Sequence, residues 1–373
     1  MTWPSTKLGD VVEFLDHWRK PITANDRVPG PVPYYGANGQ QDSVATALFD
    51  EPLVLLAEDG GHFDEPEKGV AYRIDGPSWV NNHAHVLRPR DNLDIGYLTR
   101  VLENYDLTPY VSGTTRGKLT KGRAGEIEIP LPPLPEQRRI ASILDQADQL
   151  RARRRRAIML LEQVEDTALG DLLRAGLGNE TVTLSEIADI QTGPFGSLLH
   201  REDYVSGGIP LVNPMHIRNG RIYPDPEFSV TESKFAELDS FELRKGDVVL
   251  GRRGEMGRAA EVVDSHGRLL CGTGCMILRP RDGRVLGVVL VGLLSSPSVR
   301  TMLEQRAQGV TMLNLNQSIV GNLEVPLASV ESQLAFAGLR GHLRALREHQ
   351  ASHLAKLDDL FASLQHRAFR GEL

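Results

Sequence analysis

The chain has 373 residues, 24% of them charged, and a mean hydropathy of −0.25; this suits two or three folded domains and excludes a disordered tail. The longest apolar run, Val285 to Leu294, is glycine-interrupted and short of the ~18 residues a membrane span needs. The first ten residues hold no apolar export core, and Cys271 and Cys275 are too few for a disulfide framework, so a reducing cytoplasm is expected. Net charge is −7, which by itself argues against a nucleic-acid binder. The charge is segregated, however: residues 116–156 carry eleven basic and five acidic side chains, a net +6. Such a strip steers a polyanion; a solvated helix face is the plainer reading of charge alone.

In chain order, residues 1–133 read as a compact mixed α+β domain. Leu53-Val54-Leu55-Leu56 predicts a strand, Val28 to Pro33 a turn, and Ile95 to Asn104 a short helix. The run Ile129 to Pro135 is extended, because proline lacks an N–H and restricts the residue before it, and Pro135 suits the first turn of a helix. A long helix is predicted over 134–176. Its 3–4 stripe is Ile140, Ile143, Ala147, Leu150, Arg154, Ala157, Leu161, Val164 and Ala168, fading at Gly176 and Gly178. A second mixed domain is expected over 177–328, with a strand at Asp247 to Leu250, turns at Gly207 to Pro210 and Gly251 to Gly257, and a helix near Leu286 to Ser295. A last helix over 329–373 repeats the stripe with Phe336, Leu339, Leu343, Leu346, Gln350, His353, Leu357, Leu360 and Leu364.

The chain repeats itself. Leu87-Arg88-Pro89-Arg90-Asp91 recurs as Leu278-Arg279-Pro280-Arg281-Asp282 at an offset of 191, and Gly113, Leu119, Gly125, Glu128, Pro130, Leu131 and Gln137 recur at 196. Lys7 to Val11 resembles Thr183 to Ile187 at 176, so the second copy carries short insertions. Arg154 plus 196 is Gln350, so the polar break in both stripes falls at one place, as two antiparallel helices require. The expected architecture is two similar α+β domains joined by an intramolecular antiparallel coiled coil. A parallel pairing would need a long return connection, which the second domain itself can supply. Helices of ~38 residues would run roughly 57 Å, about 1.5 turns of B-DNA. Two diverged copies suit a partner with two different half-sites, and a duplex is such a partner.

Residues Ile129-Pro130-Leu131-Pro132-Pro133-Leu134-Pro135-Glu136-Gln137-Arg138-Arg139-Ile140 resemble the segment that joins a target-recognition domain to its helix in specificity subunits of type I restriction-modification systems. Tyr34 to Gly39 and Glu58 to Gly61 resemble the opening half of such a domain, and Gln191 to Ser197 with Gly208 to Val212 the opening of a second subtype. Pro326 to Gln333 departs from the proline-rich form but keeps Pro326 and Gln333. The resemblance implies a non-catalytic DNA reader with a bipartite site, its spacer set by the helices. It implies two modification subunits, which dock partly on the helices and methylate adenine with S-adenosylmethionine, and restriction subunits driven by ATP and Mg. No cofactor is expected in this chain.

DNA contacts are expected from loop cations and amides, since Arg and Lys meet guanine edges or phosphates and Asn or Gln meet adenine. In the first copy these are Thr115, Arg116, Lys118, Lys121 and Arg123, or else a plain basic loop. Tyr34, Tyr35 and Asn38 either touch the duplex or form a turn with Tyr in the core. In the second copy the candidates are Thr192, Phe195, Ser197, Asn213, His216, Arg218, Arg252, Arg253, Thr311, Asn314, Asn316 and Gln317. Helix pairing is assigned to Ile140, Ile143, Leu150, Arg154, Leu161, Leu339, Leu343, Leu346, Gln350, Leu357 and Leu360. No metal site is expected: Cys271 and Cys275 lack a second ligand pair, and His83 and His85 read as structural. Phosphate-loop and methyltransferase motifs are missing. A protein–protein scaffold without nucleic acid, favoured by the acidic net charge, and a specificity element of another phage-defence methylation system are the competing readings.

Overall fold

The computed structural model describes residues 3–113, 117–176, 180–307 and 314–373. The chain divides into two compact units, Met1–Arg156 with Gln350–Leu373 and Ala157–His349, so each unit draws on both long helices. Among the described residues no helix is long and apolar enough to cross a membrane.

The first unit runs β1 (Ser5–Lys7), α1 (Leu8–Val11), β2 (Val12–Phe14), β3 (Val32–Gly36), β4 (Gly39–Val44), β5 (Phe49–Asp50), β6 (Leu53–Ala57), β7 (Ala71–Ile74), β8 (Pro77–Val80), β9 (Ala84–Pro89), α2 (Ile95–Leu102), α3 (Lys121–Gly125), β10 (Glu128–Pro130) and the start of α4 (Leu134–Gly176). Its sheets have strand orders β2-β9-β6-β7 and β4-β3-β8-β5, with β1 paired to β10. Every residue of β6 is buried, which explains its unbroken Leu-Val-Leu-Leu-Ala run: a strand covered on both faces needs no polar alternation. Asp94 caps α2 by accepting from the Tyr97 N–H at 3.0 Å.

The second unit takes up the rest of α4, then β11 (Glu180–Thr183), α5 (Leu184–Ile187), β12 (Ala188–Thr192), β13 (Ile209–Val212), β14 (Ile217–Arg218), β15 (Arg221–Ile222), β16 (Ser229–Val230), α6 (Glu232–Glu237), β17 (Glu242–Leu243), β18 (Val248–Gly251), β19 (Ala259–Glu261), β20 (Leu269–Cys271), β21 (Cys275–Pro280), α7 (Gly287–Ser295), α8 (Pro297–Arg306), α9 (Gln317–Gly321), β22 (Glu324–Leu327) and the first part of α10 (Val330–Arg370). Its sheets are β12-β21-β18-β19 and β16-β13-β20-β17, with β11 paired to β22. Strand for strand this is the first unit's topology, down to the single parallel pair, β3 with β8 and β13 with β20. The hairpin of β14 with β15, helix α6 and helix α8 have no counterpart in the first unit and lie where the offset drifts.

Gln137 and Gln333 show why one residue outlasts the loss of the prolines around it. Both are fully buried at the start of a long helix. Gln137 accepts from the Asp94 N–H and donates to the carbonyls of Asn92 and Pro132; Gln333 accepts from Leu286 and donates to Arg284 and Ala328, all at 2.8–3.0 Å. Each amide staples the loop before α2 or α7 to its helix by bonding backbone groups of the loop and of the residues leading into the helix.

Within each unit the long helices run antiparallel. In the first, Arg154 donates to Gln350 at 2.7 Å and Arg151 to Asp358 at 2.6 Å. In the second, Arg340 donates to Glu165 at 2.6 Å and Arg347 lies 3.6 Å from Glu162. Under the 196-residue repeat, Arg151–Asp358 maps onto Arg347–Glu162, and Arg154–Gln350 maps onto itself.

The seam departs from the predicted stripe at every second position. On α4 the buried and half-buried frame runs Gln137, Ile140, Leu144, Ala147, Arg151, Arg154, Ile158, Leu161, Glu165, Ala168 and Leu172, with Ala141 buried outside it. On α10 it runs Gln333, Phe336, Arg340, Leu343, Arg347, Gln350, Leu354, Leu357, Phe361, Leu364 and Ala368, the same frame at plus 196. Ile140, Arg154, Leu161, Leu343, Gln350 and Leu357 thus stand in the seam as expected, and Ile143 is half-buried beside it. Leu150, Leu339, Leu346 and Leu360 do not: they are 41–51% exposed. Arginine takes such a position because its stem covers apolar surface while its head reaches out. Arg151 lies 4.3 Å over the Phe361 ring as it bonds Asp358.

Candidate nucleic-acid interface

In the first unit the loop after β6 meets the basic segment. Asp59 pairs with Lys118 as an isolated antiparallel bridge, and the Leu119 N–H donates to the Glu58 carbonyl at 2.8 Å. Behind this contact lies a buried ionic network. Arg19 donates to Glu58 at 2.6 Å and to the Ala84 carbonyl at 2.6 Å; His85 holds Asp16 at 2.7 Å through Nδ1 and faces the Leu119 carbonyl at 2.9 Å through Nε2. Burial pushes the Asp16 carboxyl up, but the His85 hydrogen bond and charge, the Val86 N–H and Arg19 together hold it below its usual range. Asp16, Glu58 and His85 lie close enough to share one cation, but Arg19 and Lys118, 3.3 Å from Glu58, already supply positive charge there.

The sequence candidates of this unit divide. Tyr34 is in the core, 1% exposed, its hydroxyl accepting from the Ile22 N–H and its ring under Arg27. It is closed to a duplex because β3 turns its side chain inward. Tyr35 is half-buried against Tyr72. Asn38 is exposed and donates to the Gly60 carbonyl. Exposed Lys121 and Arg123 lie over Phe14 and Tyr110, and Arg123 also donates to the Pro109 carbonyl. Thr115 and Arg116 fall outside the described residues.

The second unit brings more of its candidates together. Thr192, Phe195, Arg252, Arg253, Asn316 and Gln317 line a groove of about 440 Å³. Arg253 forms the isolated bridge with Asn314, and the Leu315 N–H donates to the Arg252 carbonyl at 2.9 Å, the counterparts of Asp59–Lys118 and Leu119–Glu58. Arg252 donates through Nε to Asn314 at 3.0 Å; burial and then the neighbouring Arg253 depress its pKa. Asn316 caps α9 by accepting from the Ile319 N–H. Ser197 and Arg218 are exposed, the latter donating to the Met215 carbonyl. His216 is buried, bonded through Nδ1 to Leu211 and lowered in pKa by burial, so it supports the 213–216 turn and is closed to a duplex. Thr311 lies outside the described residues.

The ionic network of the first unit escaped sequence reasoning. The strand registers supply the missing signal. Leu56 pairs with His85 as Leu250 pairs with Met276, which sets Glu58-Asp59 against Arg252-Arg253; Phe14 pairs with Leu87 as Ile190 pairs with Leu278, which sets Asp16 and Arg19 against Thr192 and Phe195.

Known proteins resemble this arrangement throughout. The type I restriction modification DNA specificity domain matches residues 1–159 and again 177–339. A putative type I restriction enzyme specificity subunit of Haemophilus influenzae is 29% identical over 261 residues; the match covers 67% of this chain and 66% of that protein, just under two thirds of its length. The MjaVIII specificity subunit of Methanocaldococcus jannaschii is 22% identical over 90% of this chain and 84% of its own. A solved S subunit from a type I system of M. genitalium shares the fold, with TM-score 0.65 at 15% identity over 99% of this chain and 96% of that one.

Proposed function

Because the chain belongs to the type I restriction-modification DNA specificity family, we propose that it reads a bipartite duplex, one half-site per unit, as the non-catalytic specificity subunit of a cytoplasmic methylation and restriction complex. The observation that carries this reading is the duplicated scaffold with unlike side chains at equivalent loop positions: Glu58-Asp59 beside Lys118 in one unit, Arg252-Arg253 beside Asn314 in the other. A binder of identical sites would keep them alike. On the same reading, domains 1–133 and 177–328 recognise DNA, and helices 134–176 and 329–373 set the gap and dock two modification subunits. Exposed Leu150 and Leu360 in the first unit, and Val164 and Leu346 in the second, suit this docking. S-adenosylmethionine, ATP and Mg belong to the partner subunits.

The test is duplex binding by the chain reconstituted with its modification subunit, with the methylated adenines mapped. Sequence-selective binding that weakens steeply with salt is expected, because neutralising phosphates releases counterions. Lengthening both helices by one heptad should change the tolerated gap. Binding indifferent to sequence and salt would leave the scaffold reading in its place.

A further inference from the structure

At one point of the shared scaffold the two units are built in opposite ways. In the first, Asp16, Arg19, Glu58 and His85 close over one another, and the Arg19 and Glu58 side chains are each only 12% exposed. The charges there answer each other, and the groove beside them has Asp59, Asn38 and Gly60 in its lining. In the second, Thr192, Phe195, Arg252 and Arg253 stand at the positions of Asp16, Arg19, Glu58 and Asp59. Phe195 is 61% exposed, and Arg252 and Arg253 both line the groove of this unit. Among the described residues no carboxylate lines the groove or lies within salt-bridge distance of either arginine. Adjacent like charges without an acid cost stability, and such local conflicts persist where a ligand resolves them.

The two arginines are not equivalent. Arg252 is half-buried and tied to Asn314, so it shapes the groove. Arg253 is exposed, and the planar fork of its head is committed to no described side chain. A phosphate can be met by any surface cation. A groove walled by an aromatic ring and the amides of Asn316 and Gln317 instead suits the edge of a base, and two acceptors side by side are what guanine presents through O6 and N7. Resting on the proposed DNA-reading function, we propose that Arg253 is a specificity-determining residue that reads a guanine in the half-site of the second unit, with Arg252 as the positioning residue beneath it.

The experiment selects bound sequences from a pool of randomised duplexes, using the full chain reconstituted with its modification subunit. The unaltered complex should select a guanine at a position whose preference Arg253→Ala flattens by about tenfold to a hundredfold, leaving the other half-site unchanged. Arg253→Lys should keep affinity for random duplex and lose the same preference, since an ammonium has no fork. An even loss across all sequences with a shallower salt dependence would make Arg253 a phosphate contact and overturn the proposal. So would base preferences that do not move in either variant. If the unaltered complex selects no sequence, the DNA-reading function itself fails.

Discussion

The turn between β8 and β9 in the first unit and that between β20 and β21 in the second solve one problem from opposite sides. In the first, Asn81 lies in the turn and its Oδ1 accepts from the His83 N–H at 2.8 Å, while Gly36 faces it at the end of β3. In the second, Asn213 follows β13 and accepts from the Gly274 N–H at 3.4 Å, while Gly272 occupies the turn. A Cβ on Gly36 would come within 2.9 Å of Asn81, and one on Gly272 within 2.3 Å of Asn213. One asparagine and one glycine are needed, and either strand can supply either. The glutamine staples are different: Gln137 and Gln333 make the same three bonds in both units. Duplication has preserved the joints between domain and helix and let this turn exchange its asparagine and glycine.

The largest effect should come from the helix seam. Phe361→Ala is expected to cost about 3–5 kcal/mol by opening a cavity beneath Arg100 and Arg151, whereas Leu360→Ala, one residue away, should change stability by less than about 0.5 kcal/mol. Denaturant unfolding of the two variants checks this, and equal losses would contradict the register. Gln137→Ala and Gln333→Ala should each cost about 2–4 kcal/mol by leaving buried carbonyls and an N–H unpaired. A loss in only one would mean that the two joints are not equivalent.

Asn81→Gly should cost about 1–3 kcal/mol by orphaning the His83 N–H, and adding Gly36→Asn should recover part of it if Gln41 moves aside. Glu103 gives a smaller change, and one that depends on pH. Burial first, against Arg100 and with Asp148, pushes its pKa from 4.5 up to about 7. The native state then holds a proton that the unfolded chain has lost between about pH 4.5 and 7, so this group's contribution falls as pH rises through that window. Glu103→Gln should therefore flatten the fall and gain roughly 1–2 kcal/mol at pH 8, with little change at pH 4. A gain that is the same at both pH values would show that the carboxyl is not titrating there.

The tandem repeat, the strand at Leu53 to Leu56, both short helices and both long ones were legible in the residues, because periodicity and turn chemistry are local. So was the role of Arg154 opposite Gln350, which needs only an offset and an antiparallel pairing. Which of two adjacent stripes faces inward was not legible. Ile143, Leu150 and Val164 fit a 3–4 spacing better by hydropathy than Leu144, Arg151 and Glu165 do. Yet the seam takes the second set, since Arg151 covers Phe361 with its stem and Glu165 meets Arg340. The closure of Asp16, Arg19, Glu58 and His85 depends likewise on three segments distant in the chain. Sequence by itself determined which elements exist and that they come twice. Only tertiary structure decided which faces meet and which charges find partners, because those energies belong to contacts between segments and not to any one of them.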